Sequence, residues 1–217
     1  MSDIALDIPP TPKHLDVSHL PDHAWDSHAP VWWGNLLAIL IETTTVGIML
    51  VTYFYLRRNF GQWPPPQVHQ FPVNPEPQPY LLWGTLNLVL IVGGCVPMYI
   101  CDMAARSKDQ PRVQFWLGLM LVLTIVCTWF RFYEFGAMHY MWNENAYGSA
   151  VWWMLGLHLT YLLAAGAEFL IMWAWVMLHP LDDKHALDIT LGGGYWYWTA
   201  GTWVLMYLTL YWSPRWL

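Results

Sequence analysis

The stretch AILIETTTVGIMLVTYFYLRR, residues 38–58, holds a single acid, Glu42, inside an otherwise uncharged apolar run. A helix can bury such a run in a bilayer, where a carboxylate near the centre costs roughly 2.5 kcal/mol or more by insertion scales. Counted from Val31, Glu42 lies about 16 Å into the run at the helical rise. Away from water its uncharged form is favoured unless a partner is near. The rest of the chain therefore has to shelter it.

Outward from this stretch the same pattern repeats. Charged residues make up 11% of the 217 and hydrophobic ones 56%, against about 25% charged in a soluble domain. The charges are also segregated. Residues 31–55 contain only Glu42, residues 77–100, 113–130 and 189–213 contain none, and residues 146–177 contain only Glu168. Each run reaches the roughly 18–25 residues that cross a hydrocarbon core. The pattern predicts an all-α fold, an integral membrane bundle of five transmembrane helices over residues 31–217, preceded by an N-terminal cytoplasmic tail, residues 1–30. No run shows a break at mid-membrane. Trp32, Trp33, Trp83, Trp129, Trp152, Trp153 and Trp212 fall near run ends, as interfacial anchors do.

Lys and Arg set the expected orientation. With the N-terminus inside, the inner segments hold Lys13, Arg106, Lys108, Arg112 and Lys184, and the outer ones Arg57, Arg58 and Arg215, a bias in the positive-inside direction. The tail is acidic and rich in Pro and His without an apolar core region, so the first helix is expected to direct insertion. Its His14, His19, His23 and His28 stand among Asp16, Asp22 and Asp26. A metal site is the weaker alternative, since nothing fixes their geometry, and a solvated tail is the better reading. The net charge of −6 argues against nucleic acid as a partner. Cys95, Cys101 and Cys127 lie in apolar runs and read as buried soft side chains, not as a disulfide framework or metal ligands.

The polar groups inside the spans are the candidate site residues. Glu42 and Glu168 are the membrane carboxylates, either functional or sharing a proton or hydrogen bond with each other. Arg131 and Glu134 are three apart on the third helix and read as an ion pair, with a lipid-phosphate contact from Arg131 the weaker alternative. His158 is the one histidine deep in a span. A haem held by two histidines needs a second at matching depth, which the sequence does not supply. Small and polar residues recur at helical spacing, among them Asn35 and Thr45, Gly84 and Asn87, Thr124 and Thr128, Tyr161 and Ala165, Tyr195 and Thr199. Such stripes let membrane helices approach and hydrogen-bond. No Ser-His-Asp set, phosphate loop or zinc signature is present, so no catalytic residue is assigned.

An ordered series of short motifs resembles subunit III of the haem–copper oxidases, the cytochrome c oxidase type most closely. The series runs from the acid-bearing helix through YFYLR (53–57), WPPP (63–66), FYEF (132–135), YGS (147–149) and GLH (156–158) to YW…YLTLYW (195–212). The likeness covers residues 33–212. It implies the five-helix bacterial form, which lacks the first two helices of the seven-helix form. It further implies a non-catalytic, multi-pass inner-membrane subunit of an aerobic respiratory chain, its C-terminus periplasmic. Such a subunit carries no haem or copper; those reside in the catalytic partners, subunit I and subunit II. It holds phospholipid in a cleft between its helices and supports proton uptake and turnover stability. By the same resemblance Glu42 matches the family's membrane carboxylate, and His158 and Glu134 match cleft-lining polar residues. Cytochrome c or quinol donates electrons to such complexes, and WPPP favours cytochrome c. The chain departs from the pattern at Leu155, where a second His is usual, at Arg131, often Gln, and at Tyr197 and Ala200, usually His and Asp. Arg131 and Glu168 are candidate substitutes for the lost groups. The rival readings are a quinol oxidase subunit, a relative accompanying nitric oxide reductase, and a stand-alone proton-coupled transporter using Glu42 and Glu168.

Overall fold

A computed structural model describes residues 26–67 and 78–216. The histidines and acids of residues 1–25 lie outside the described residues. Pro30 opens α1 (Pro30–Arg58) at a position where its missing N–H is not needed. The second run forms α2 (Leu81–Gly93) and α3 (Cys95–Arg106), followed by α4 (Gln110–Ala137) and α5 (Ala146–Leu178). The last run forms α6 (Asp183–Tyr207), a π-helical turn at Leu208–Trp212, and α7 (Ser213–Trp216). No strand occurs among the described residues.

α1, α2 with α3, α4 and α5 are each long and apolar enough to cross a membrane. The segment from Asp183 to Trp216 has the length of a fifth span but a more polar composition. Its Thr199 and Thr202 turn inward and are buried. It packs on α1, α2, α3 and α5, so the bundle covers the polarity that a lipid-facing helix could not carry.

The second span is interrupted at Gly94, contrary to the expectation of unbroken helices. Pro97 has no N–H to offer the Gly93 carbonyl, and its ring crowds that carbonyl. The result is a kink, not an unwound segment. Gly94 stays helical (φ −62°, ψ −15°), its N–H bonds Leu90 O at 2.8 Å, and its carbonyl accepts Met98 N–H at 3.2 Å.

Side chains satisfy helix ends where water can reach. Asp109, Asn145 and Asp182 accept the N–H groups of Arg112, Gly148 and His185 at the starts of α4, α5 and α6, the ordinary N-cap arrangement. On the side where α1 begins, called the near side, Lys108 pairs with Asp183 at 2.7 Å, and the Gln110 amide donates to the carbonyls of Val176 and His179. On the far side Trp63 Nε1–H donates to the Tyr53 hydroxyl at 2.9 Å, Tyr140 donates to Pro65 O at 3.1 Å, and Arg215 donates to Pro79 O at 2.6 Å. The described ends of the connection after α1 are thereby tied to the bundle. The centre is packed by Trp196, Trp203, Tyr53, Tyr147, Tyr211 and Phe169, all under 2% exposed. In lipid such packing holds helices together by close contact and buried hydrogen bonds, since tails offer no hydrophobic drive between them.

Candidate polar node and near-side carboxylates

In the far half of the bundle, Arg131 and Glu134 of α4 project one turn apart toward α5 and α6. Both are 0% exposed, as is His158 of α5. The Arg131 Nη1 group donates to Glu134 Oε2. The Arg131 Nη2 group lies 2.8 Å from His158 Nδ1. A guanidinium can only donate, so Nδ1 accepts and the imidazole proton sits on Nε2. That nitrogen donates to the Thr199 carbonyl of α6 at 3.1 Å, which also accepts the Thr202 hydroxyl at 3.0 Å. The guanidinium carbon lies 3.7 Å over the Trp203 ring, a cation–π contact strengthened by the absence of water.

The node is charge-neutral: one guanidinium, one carboxylate, one neutral imidazole. It joins three helices, and a fourth borders it. Asn87 of α2, fully buried, turns its amide toward Glu134. Tyr211, in the π-helical turn, reaches the same region because residue 84 is glycine. A Cβ there would lie 2.3 Å from Tyr211 Cζ, which no real contact allows.

The expected ion pair is therefore present, and His158 joins it. His158 and Glu134 are enclosed in the bundle and do not line an open cleft. Asn87, Thr199, Tyr211 and Trp203 complete the node. Asn87, Thr199 and the Gly84 gap lay on the small and polar stripes. No spacing signal marked Trp203 or Tyr211, because cation–π and gap-filling contacts across helices leave none.

Glu42 and Glu168 lie elsewhere, in the near half, and are not hydrogen-bonded to each other. Glu42, half-buried, accepts the Tyr195 hydroxyl at 3.3 Å, and its other oxygen is buried with no hydrogen-bond partner among the described residues. One turn along, the Trp198 indole N–H donates to the Thr43 hydroxyl at 2.8 Å. These two bonds fasten the near half of α1 to α6. Glu168 forms no hydrogen bond or ion pair among the described residues. It faces a groove of about 670 Å³, whose polar lining is Asn35 of α1, Glu168 of α5 and Asp188 of α6. Asp188 was not singled out by the sequence, since HPLDDKHALDITLGGG reads as a polar connection; the structure places Asp188 on α6.

Among the described residues no three His, Cys, Asp or Glu side chains converge as metal ligands. His158 has both ring nitrogens engaged. The arrangement fixes charge and helix position; it presents no nucleophile paired with a base.

A family model described as cytochrome c oxidase subunit III matches residues 18–215. Among curated proteins, the chain is similar to cytochrome c oxidase subunit 3 of Chondrus crispus, at 24% identity over 69% of this chain and 53% of that protein. It is also similar to that of Pyricularia grisea, at 24% over 83% and 60%, and to that of Synechocystis sp., at 19% over 91% and 83%. The chain thus spans between half and two thirds of the length of the first two relatives. With that match running through every helix described above, the chain belongs to the cytochrome c oxidase subunit III family.

Proposed function

We propose that this chain is the non-catalytic subunit III of a respiratory haem–copper oxidase of the cytochrome c oxidase type. In this reading it sits in a bacterial inner membrane with its N-terminus cytoplasmic, beside subunit I and subunit II. Oxygen reduction to water occurs in those partners, which hold the haem and copper. This chain contributes packing, bound phospholipid and support of proton uptake by its neighbour. The observation that carries the reading is the family match over residues 18–215. The chemistry of the polar groups supports it. Arg131, Glu134, His158 and the Thr199 carbonyl are bonded to one another, and with both ring nitrogens engaged His158 has none left to serve as an axial haem ligand. Such a node suits a scaffold that must hold its shape next to a working enzyme.

The test is purification of the native complex through a tag on this chain. Haem and copper absorbance that co-purifies in fixed ratio to the chain is expected. Oxygen reduction by the complex stripped of this chain should begin at a comparable rate and decay faster during turnover. A chain that purifies alone, or turnover unaffected by its removal, contradicts the reading.

A further inference from the structure

The far end of α1 carries charge that the bundle does not answer. The chain has six arginines. Arg106 and Arg112 pair with Asp102 and Asp109 at 2.9 and 3.0 Å. Arg131 pairs with Glu134, and Arg215 donates to the carbonyls of Tyr211 and Pro79. Arg57 and Arg58, the last two residues of α1, make no ion pair among the described residues. A helix C-terminus favours a cation in its last turn, but that does not call for a pocket around two. With the N-terminus inside, both also stand on the side that the positive-inside bias keeps poor in cations.

Both arginines line a pocket of about 310 Å³, completed by Phe54, Phe60, Gly61 and Trp63. One wall is built in advance. The Leu56 and Arg57 carbonyls accept the N–H groups of Asn59 and Phe60 at 3.0 and 3.2 Å, so the chain turns back at the helix end. Trp63 is then held by its indole bond to Tyr53, which is 0% exposed and shares a hydrogen bond with Ser213 at 3.0 Å. Its ring stands edge-on to Tyr53 and Tyr147, with centroids 5.4 and 5.3 Å away, and the Phe60 ring follows at 5.8 Å. A Cβ at Gly61 would meet nothing within 4 Å, so the mouth is open there. No acidic side chain lines the pocket.

We infer that this pocket receives an acidic segment of a neighbouring subunit on the far side, two of its carboxylates resting on the Arg57 and Arg58 guanidiniums. Charge complementarity selects this occupant. Each guanidinium fork matches a carboxylate through two parallel hydrogen bonds. A single phosphodiester carries one charge and leaves the second arginine unanswered. Of the apolar lining only Phe54 belongs to α1, the rest lying in the connection beyond it, so an acyl chain finds no trough. A helix about 10 Å across is too wide for the space, whereas the side chains of an extended segment fit it. The inference rests on the reading that this chain works inside an oxidase complex with its N-terminus cytoplasmic, and adds a contact point and the chemistry of the partner.

The test uses the native complex, tagged on this chain, with the photoreactive substitution Gly61→p-benzoylphenylalanine at the open mouth. After irradiation, cross-linked peptides are identified by mass spectrometry. The expected adduct joins residue 61 to a peptide of another subunit that carries at least two Asp or Glu side chains close in sequence. R57Q/R58Q should cut its yield roughly fivefold or more, the size expected for two partly exposed charge contacts. R57K/R58K, which keeps the charge without the fork, should cut it less. Removing outer arginines favours the orientation the chain already has, and haem co-purifying with each variant reports assembly. If the probe at position 61 blocks assembly, Phe60→p-benzoylphenylalanine replaces it. Adducts with lipid alone, adducts within this chain alone, no adduct, or an unchanged yield in R57Q/R58Q overturn the inference. Each leaves the oxidase-subunit reading standing while haem co-purifies; a complex without haem overturns that reading as well.

Discussion

The two halves of this bundle handle intramembrane charge in opposite ways. In the far half Glu134 has its counter-charge one helical turn away, a histidine behind that, and no exposure. In the near half Glu168 faces a groove with a second acid near it and no basic partner in the lining. The first arrangement is closed, and its charges are cancelled by residues of this chain. The second shows no answering charge among the described residues that line it. An acid inside a membrane span is thus not one kind of feature: its meaning depends on whether the same chain supplies the answering charge.

The sharpest way to break this contrast is to remove one partner of the closed pair. R131L leaves Glu134 and its environment uncompensated, and breaking a buried pair this way costs about 3–5 kcal/mol. The variant should lower the thermal midpoint of the purified complex or fail to be retained in it. R131L/E134L should recover most of the loss, because apolar replacement of both partners is close to neutral. Equal damage in the single and double variants would mean that the pair is not the unit that matters.

The next effect in size tests how the node is closed. G84L drives a side chain into the Tyr211 ring, and overpacking of this kind costs about 1–3 kcal/mol. G84L/Y211A should relieve it; thermal unfolding of the complex reads both.

A third substitution reports on the near-side rim. D182A removes the cap of α6, at about 1 kcal/mol, and should speed amide hydrogen exchange in the first turn of that helix. Slight burial works to raise the Asp182 carboxyl, but the His185 backbone N–H and ring outweigh it and hold the carboxyl below its usual value. A depressed carboxyl stabilises above its unfolded value of about 3.9 and loses that contribution as pH falls through the folded value. Protection factors in this turn, referenced to the unstructured-chain exchange rate at each pH, should therefore fall as pH drops through the folded value in wild type and stay flat in D182A.

The smallest effect is expected at Glu42. Y195F removes a half-exposed hydrogen bond, at about 0.5 kcal/mol, and E42Q, which keeps an acceptor, should do less. Near-wild-type midpoints in both variants, set against the loss in R131L, would confirm that the near-half acid is tolerated without the sealed pairing that Glu134 has. A large loss in E42Q would instead put Glu42 in the same class.

Much of this was readable from the chain. Segregated charge located the spans, because a bilayer tolerates so few exceptions that each run stands out. The i,i+3 relation of Arg131 and Glu134 was also visible, since it is set by the helix repeat alone. The addition of His158 and Trp203 was not, because it depends on how α4, α5 and α6 are rotated about their axes. The kink at Gly94 was missed although Pro97 announced it, since the apolar run continues through both. The groove was missed for a further reason. Gly34, Ala38, Ala164 and Ala167 lie off the small and polar stripes that the sequence marks, and only the packing of α1 against α5 and α6 shows that they line one groove.

The central claim is that this chain is a scaffold whose charges are answered by its own residues, by lipid and by neighbouring subunits, with the redox groups held elsewhere in the complex. Dissociating the chain from the purified native complex and measuring haem, copper and iron on each fraction tests it most directly. The account predicts that the metal and haem remain with the catalytic subunits and that this chain carries none in stoichiometric amount. A stoichiometric haem or metal ion on the separated chain would contradict it.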